Sequence, residues 1–240
     1  MSKRTERAMD CIENRRLKLE DTLPFSCTHC GGCCVHQEEL LLNPLDLVRM
    51  VKELGITVEE LLQQYGECYI GGDSRLPLVR IYPRGKTRRC PFLKNNKCSV
   101  HKAKPSVCRL YPLGRTVCYV PDEQGKLDME RSEVIYFHNG YFCGRQNGHQ
   151  TVREWLEESH LLESESFFIL WSQVVAETSM FLRKLEKMTT NQDLMCMVWD
   201  MMYMLLYIQY DTKKEFEPQF NRNLQQLRKN IAEIQRMGGF

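Results

Sequence analysis

Cys27-Thr28-His29-Cys30-Gly31-Gly32-Cys33-Cys34 places four thiols within eight residues, around a pair of glycines. Two cysteines separated by two residues can close on one metal ion through a tight turn. Gly31 and Gly32 permit backbone angles that other residues avoid, so N–H groups can turn toward the sulfurs. Such donors favour thiolate over thiol, and metal binding requires thiolate. Neighbouring side chains tend to point apart in extended backbone. Cys33 and Cys34 therefore face either two different metals or one shared centre. Cys90, Cys98, Cys108 and Cys143 follow downstream. Eight thiols suffice for two tetrahedral four-ligand sites. The chemistry these residues indicate is metal chelation, with zinc or iron as the ion.

An iron–sulfur cluster is a competing expectation. Cys27-x2-Cys30-x2-Cys33 copies three ligands of a bacterial ferredoxin run, but Gln37 stands where the fourth would be. Cys90-Pro91 supplies a remote cysteine followed by proline. The x3-then-x2 cysteine spacing of radical enzymes is absent, as are a Walker loop, a dinucleotide fingerprint and a Ser–His–Asp set.

Compartment decides what thiols do. The chain has 12 cysteines in 240 residues, and its opening Met1-Ser2-Lys3-Arg4-Thr5-Glu6-Arg7 lacks the apolar run of a signal peptide. The most apolar stretch, Leu194 to Tyr210, contains Asp200 and Gln209 and is short for a bilayer span. These features point to a reducing cytoplasm and no membrane partner, where thiol clusters hold metals rather than form disulfides.

Charge is uneven although the whole chain is near balance, at 33 Lys+Arg against 31 Asp+Glu. Arg80 to Arg115 carries eleven bases and no Asp or Glu. Bases here can offset the negative charge of metal-bound thiolates. They can also meet an anionic substrate or a protein partner. Nucleic acid is disfavoured, since no RNA-binding aromatic motif accompanies them.

The elements that must position these residues are legible by pattern. A polar helix is expected over 3–20. Asn43-Pro44 reads as a helix start, with Leu45, Val48, Val51 and Leu54 as its apolar face and Gly55 as its stop. Thr57-Val58-Glu59-Glu60 is a capping box for a second helix. These two helices are expected to shield the cluster. Residues 76–82, 116–120 and 134–137 have strand character, the last two flanking a Pro121–Gly125 turn. Helices are expected over 164–188, 191–210 and 213–237. The fold class expected is α+β and mostly helical: an irregular cysteine-rich metal-binding core with a small β hairpin or sheet, then a C-terminal helical region. The division expected is a helical segment over 1–22, the cysteine-cluster domain over 23–160, and helices over 161–240 packed on it.

The ordered motifs Cys27-x-x-Cys30-Gly-x-Cys33-Cys34, Cys90-Pro-Phe-Leu, Cys98-Ser-Val-His, Lys104-Pro-Ser-Val-Cys108-Arg-Leu-Tyr-Pro112, Cys143-Gly144 and Thr151-Val-Arg-Glu-Trp-Leu156 resemble the YkgJ-type cysteine-cluster family, described as zinc- or iron-chelating proteins. The resemblance runs from about Phe25 to Glu158. It implies Cys27, Cys30, Cys33, Cys34, Cys90, Cys98, Cys108 and Cys143 as metal ligands. Lys104 stands where the family commonly has arginine, and His101 where it has tyrosine. A flagellin lysine-N-methylase is similar in its cysteine-rich segment alone. That similarity implies the alternative of an iron–sulfur-dependent protein methyltransferase using S-adenosylmethionine. A metal carrier is a third reading.

Arg109 is the candidate cofactor-binding residue, able to donate to a thiolate or a bound carboxylate, with an ordinary salt bridge as the alternative. His101 can substitute as a ligand but is read first as a packing residue. His29 can shield sulfur, and His36 flanks the cluster. Cys68 and Cys118 are spare thiols, Cys11 is incidental, and Cys196 is read as a core thiol in a Met-rich helix.

Overall fold

A computed structural model of the chain describes residue 10 and residues 12–35, 40–121, 127–140 and 147–239. In chain order the elements are strand β1 (Arg16–Leu17), strand β2 (Leu40–Leu42), helices α1 (Pro44–Leu54) and α2 (Val58–Tyr65), and strands β3 (Gly66–Ile70) and β4 (Pro77–Ile81). A small hairpin of β5 (Leu93–Lys94) and β6 (Lys97–Cys98) precedes helix α3 (Ser106–Leu110) and the long strands β7 (Leu113–Pro121) and β8 (Leu127–His138). Helices α4 (Val152–Glu158), α5 (Glu165–Met188), α6 (Gln192–Tyr203) and α7 (Phe216–Gly238) close the chain. The fold is α+β and mostly helical, as the pattern indicates. No helix among the described residues is long and apolar enough to cross a membrane.

Two compact units interleave along the chain. The first is Met1–Glu38 with Pro83–Val174, and the second is Glu39–Tyr82 with Val175–Phe240. Residues 39–82, including α1 and α2, thus cluster with the C-terminal helices rather than with the cysteine-bearing segments on either side.

In the first unit β1, β8 and β7 form an antiparallel sheet in that order. Arg115 lies opposite Tyr136, so both side chains share one face with Leu113 and Val117. That face meets a core of Leu23, Phe25, Leu110, Leu113, Tyr136, Val152, Leu156 and Leu161. Phe25 is held edge-on by Tyr111 at 5.8 Å and Trp155 at 5.4 Å. Its backbone is fixed as well. The Gln150 side chain donates to the Phe25 carbonyl at 2.9 Å, and a Cβ at Gly148 would stand 2.3 Å from that oxygen. Thr151 and Glu154 close a capping box that starts α4 beside this anchor. The chain therefore enters the cysteine loop from a fixed point.

The polar helix expected over 3–20 is corrected at its end. Residues 12–14 are helical, but Arg16 and Leu17 pair with Phe137 and Tyr136 of β8. Leu17 packs on the core there, and Arg16 reaches Glu133 at 2.7 Å. Tertiary pairing overrides a locally helical pattern.

In the second unit β2, β4 and β3 form an antiparallel sheet. Asn43 accepts from the Asp46 amide and Gly55 is left-handed at φ 66°, so α1 starts and stops where its sequence dictates. The capping box of Thr57 and Glu60 is formed. The Trp199 indole donates to the Arg75 carbonyl at 3.0 Å, and the Arg75 guanidinium clamps Glu186. The helix expected over 191–210 is α-helical only to Tyr203 and continues as a π-helical turn, Met204–Ile208. Cys196 is exposed, which corrects the expected core placement. The buried side of α6 carries Met195, Val198 and Met202; Cys196 follows Met195 by one residue and is rotated off that side.

Candidate metal centre

The first cysteine segment is a loop that tightens into one helical turn. Gly31 is left-handed at φ 71° and leads into the 3-10 turn Gly32–Cys34. The Gly32 amide donates to the Cys30 sulfur at 3.4 Å, so the glycine pair turns an N–H toward sulfur as expected. The Cys34 amide closes the turn on the Gly31 carbonyl at 3.0 Å. The result brings the Cys33 and Cys34 sulfurs 4.0 Å apart. Two sulfurs on one tetrahedral ion, with metal–sulfur bonds of about 2.3 Å, are separated by roughly 3.8 Å. The adjacent thiols, as placed, lie within the spacing that one ion would span.

The second segment is bonded directly to the first. The Cys90 amide donates to the Cys34 carbonyl at 2.8 Å. Asn95 and Asn96 both have positive φ, at 49° and 59°, as a type I′ turn between β5 and β6 requires. That hairpin pairs Cys98 with Leu93. Gly31 is pressed against it: a Cβ there would meet Leu93 Cδ1 at 2.9 Å and the Asn96 carbonyl at 3.3 Å. Phe92 and Val100 are buried and anchor the hairpin. Burial pushes the Cys90 thiol above its ordinary value, and the nearby sulfurs of Cys98 and Cys33 add to the shift. A divalent cation at the locus would reverse that balance.

The third segment brings Cys108, half-buried on α3. This helix is tied to α4 and the residue after it: the Trp155 indole donates to the Leu110 carbonyl at 3.4 Å and Arg109 Nη1 donates to the Ser159 carbonyl at 3.3 Å. Arg109, the candidate cofactor-binding residue, therefore holds backbone with one nitrogen. Cys143, Cys11 and His36 lie outside the described residues.

Exposure grades the cluster. Cys27 and Cys30 are exposed, Cys33, Cys34, Cys98 and Cys108 are half-buried, and Cys90 is buried. All are free thiols. Among the described residues no three His, Cys, Asp or Glu side chains stand close enough, as placed, to hold one ion together. The backbone bonds the first segment to the second, and a shared coordination shell would require side-chain rotation. Thiolate donors in this arrangement suit zinc or iron. Cys118 is exposed on β7 opposite Glu133, and Cys68 lies in the second unit on β3. Sequence reasoning treated His29 and His101 separately, but their rings stand 6.0 Å apart, tilted by 53°. Each lies within three residues of a cysteine, and that spacing was the available signal.

Residues 26–133 match the family model CxxCxxCC, described as "Putative zinc- or iron-chelating domain". The matched span holds every candidate cysteine except Cys143. The chain is also similar to an uncharacterized protein of Methanocaldococcus jannaschii, at 29% identity over 106 residues. That match covers 42% of this chain and 53% of the other protein, so the chain spans about half the length of that relative. No solved structure matches the chain.

Proposed function

We propose, from the premise that residues 26–133 match a zinc- or iron-chelating domain, that this protein binds zinc or iron through Cys27, Cys30, Cys33, Cys34, Cys90, Cys98, Cys108 and Cys143. One observation carries it: the 4.0 Å sulfur pair of Cys33 and Cys34 sits on the turn whose carbonyl accepts from the Cys90 amide. Backbone segments that bear cysteines remote in sequence are thereby tied together before any ion binds, and side-chain rotation would complete the donor set. The inner donors are Cys33, Cys34, Cys90 and Cys98. When bound, the ion supplies the positive charge that holds these sulfurs as thiolates and links the segments that bear them. The surrounding exposed bases, among them Lys86, Arg89, Lys94, Lys97 and Lys102, offset the charge of a four-thiolate site.

In a four-iron cluster each iron takes one thiolate, so the sulfurs stand further apart than on a single ion. The close Cys33–Cys34 pair supports a centre whose metal takes two thiolates, a single ion or one iron of a two-iron cluster, over a four-iron cluster. Such a thiol set belongs in a reducing cytoplasm. A carrier role is the second reading, favoured by the exposure of Cys27 and Cys30 at the edge of the cluster. The test is metal analysis with a visible spectrum on the full chain purified without oxygen. Stoichiometric zinc or iron is expected, and a metal-free protein with native folding would overturn the proposal. A modest chelator separates the two roles: a carrier releases its ion at once, a structural site only as the fold melts.

A further inference from the structure

Two histidines face each other at the open edge of the cysteine cluster. His29 lies between Cys27 and Cys30, and His101 follows Cys98 by three residues. Both are exposed, as are Cys27 and Cys30. The ring centroids are 6.0 Å apart. On one tetrahedral ion, with metal–nitrogen bonds of about 2.1 Å, two imidazole centroids lie roughly 5 Å apart. Rotation of exposed side chains covers the difference of about 1 Å.

The backbone of two loops creates this pair. His29 has φ 53°, in the left-handed region that histidine enters more readily than most non-glycine residues. His101 opens the 3-10 turn His101–Ala103, directly after the hairpin against which Gly31 is pressed. That close approach sets the histidine of one loop against the histidine of the other.

We propose that His29 and His101 are ligands to a metal ion at this exposed edge, beside Cys27 and Cys30, so that the centre is a mixed thiolate–imidazole site and not an all-sulfur one. The inference rests on the chelating function proposed above and adds donors to it. Neutral imidazoles also lower the negative charge that an outer ion would carry with thiolates alone.

X-ray absorption at the zinc edge tests this on the full chain, reconstituted with zinc alone under anaerobic conditions. The expected spectrum has sulfur at about 2.3 Å and an added nitrogen shell at about 2.1 Å with imidazole scattering. His29→Phe and His101→Phe keep a ring and remove the donor; each should lose nitrogen scattering and part of the bound zinc. If the two rings only stack, both variants keep the wild-type spectrum and zinc content, and the proposal falls. A sulfur-only shell in the wild type also overturns it, whatever the variants do, while leaving chelation by cysteine intact. Failure of the protein to take up zinc or iron at all would overturn the chelating function itself.

Discussion

The amide of Cys90 donates to the carbonyl of Cys34 at 2.8 Å, stitching two distant cysteine segments together through backbone rather than through sulfur. The bond fixes where Cys90 enters the cluster independently of any ion. On the function proposed above, metal would add a cross-link between two segments that the main chain already joins. This division of labour makes the contributions of backbone and thiolate separable by mutation.

Cys90→Ser should abolish or sharply reduce retained metal while keeping the backbone bond to Cys34. Its melting temperature should fall toward that of chelator-treated wild type, and hydrogen exchange should rise together over residues 25–35 and 90–108. Cys196→Ser, on the exposed side of α6, should leave metal content unchanged and alter stability by no more than about 0.5 kcal/mol.

Gly31→Ala should act without touching a donor atom. The residue sits at φ 71°, where a Cβ costs about 1 kcal/mol or more, and Leu93 Cδ1 would stand 2.9 Å away. Urea unfolding should show a loss of about 1–3 kcal/mol, with weaker metal retention. Gly148→Ala should be worse, because its Cβ would meet the Phe25 backbone at 2.3 Å and dislodge the entry to the cysteine loop.

Cys68 gives a pH-dependent prediction in the second unit. Burial, aided by the charges of Glu67 and Asp200, pushes this thiol from 9.0 to about 11. In the unfolded chain the thiol ionises first, so its stabilising contribution is full below about 9 and is lost as pH rises toward 11. The urea midpoint of the wild type should therefore fall more steeply between pH 8 and 11 than that of Cys68→Ala. Parallel curves would show that the buried thiol carries no such linkage.

Local signals were legible and non-local ones were not. Asn43-Pro44 and the capping box of Thr57 with Glu60 specify helix starts within four residues and are formed; a second box, Thr151 with Glu154, is found in the structure. The helix from Glu165 and the strands around 116–120 and 134–137 follow from periodicity. Strands β2 and β3 escaped notice because each is short and gains its hydrogen bonds only from β4. The Asn95-Asn96 turn was a readable hairpin signal, yet its two-residue strands have no periodicity to detect. At the candidate centre, cysteine spacing named the thiols, but the bond from Cys90 to Cys34 and the approach of His29 to His101 depend on tertiary placement. Spacing alone also left Cys33 and Cys34 undecided between two directions, and it is the 3-10 turn that places their sulfurs 4.0 Å apart.

Chelation by the gathered cysteines is tested most directly by quantifying zinc and iron in anaerobically purified full-length protein, with its visible spectrum, beside the Cys90→Ser variant. At least one equivalent of zinc or iron in the wild type, lost in the variant, is the expected result. Wild-type protein that is folded but free of both metals, or a variant that retains its full complement, would contradict it.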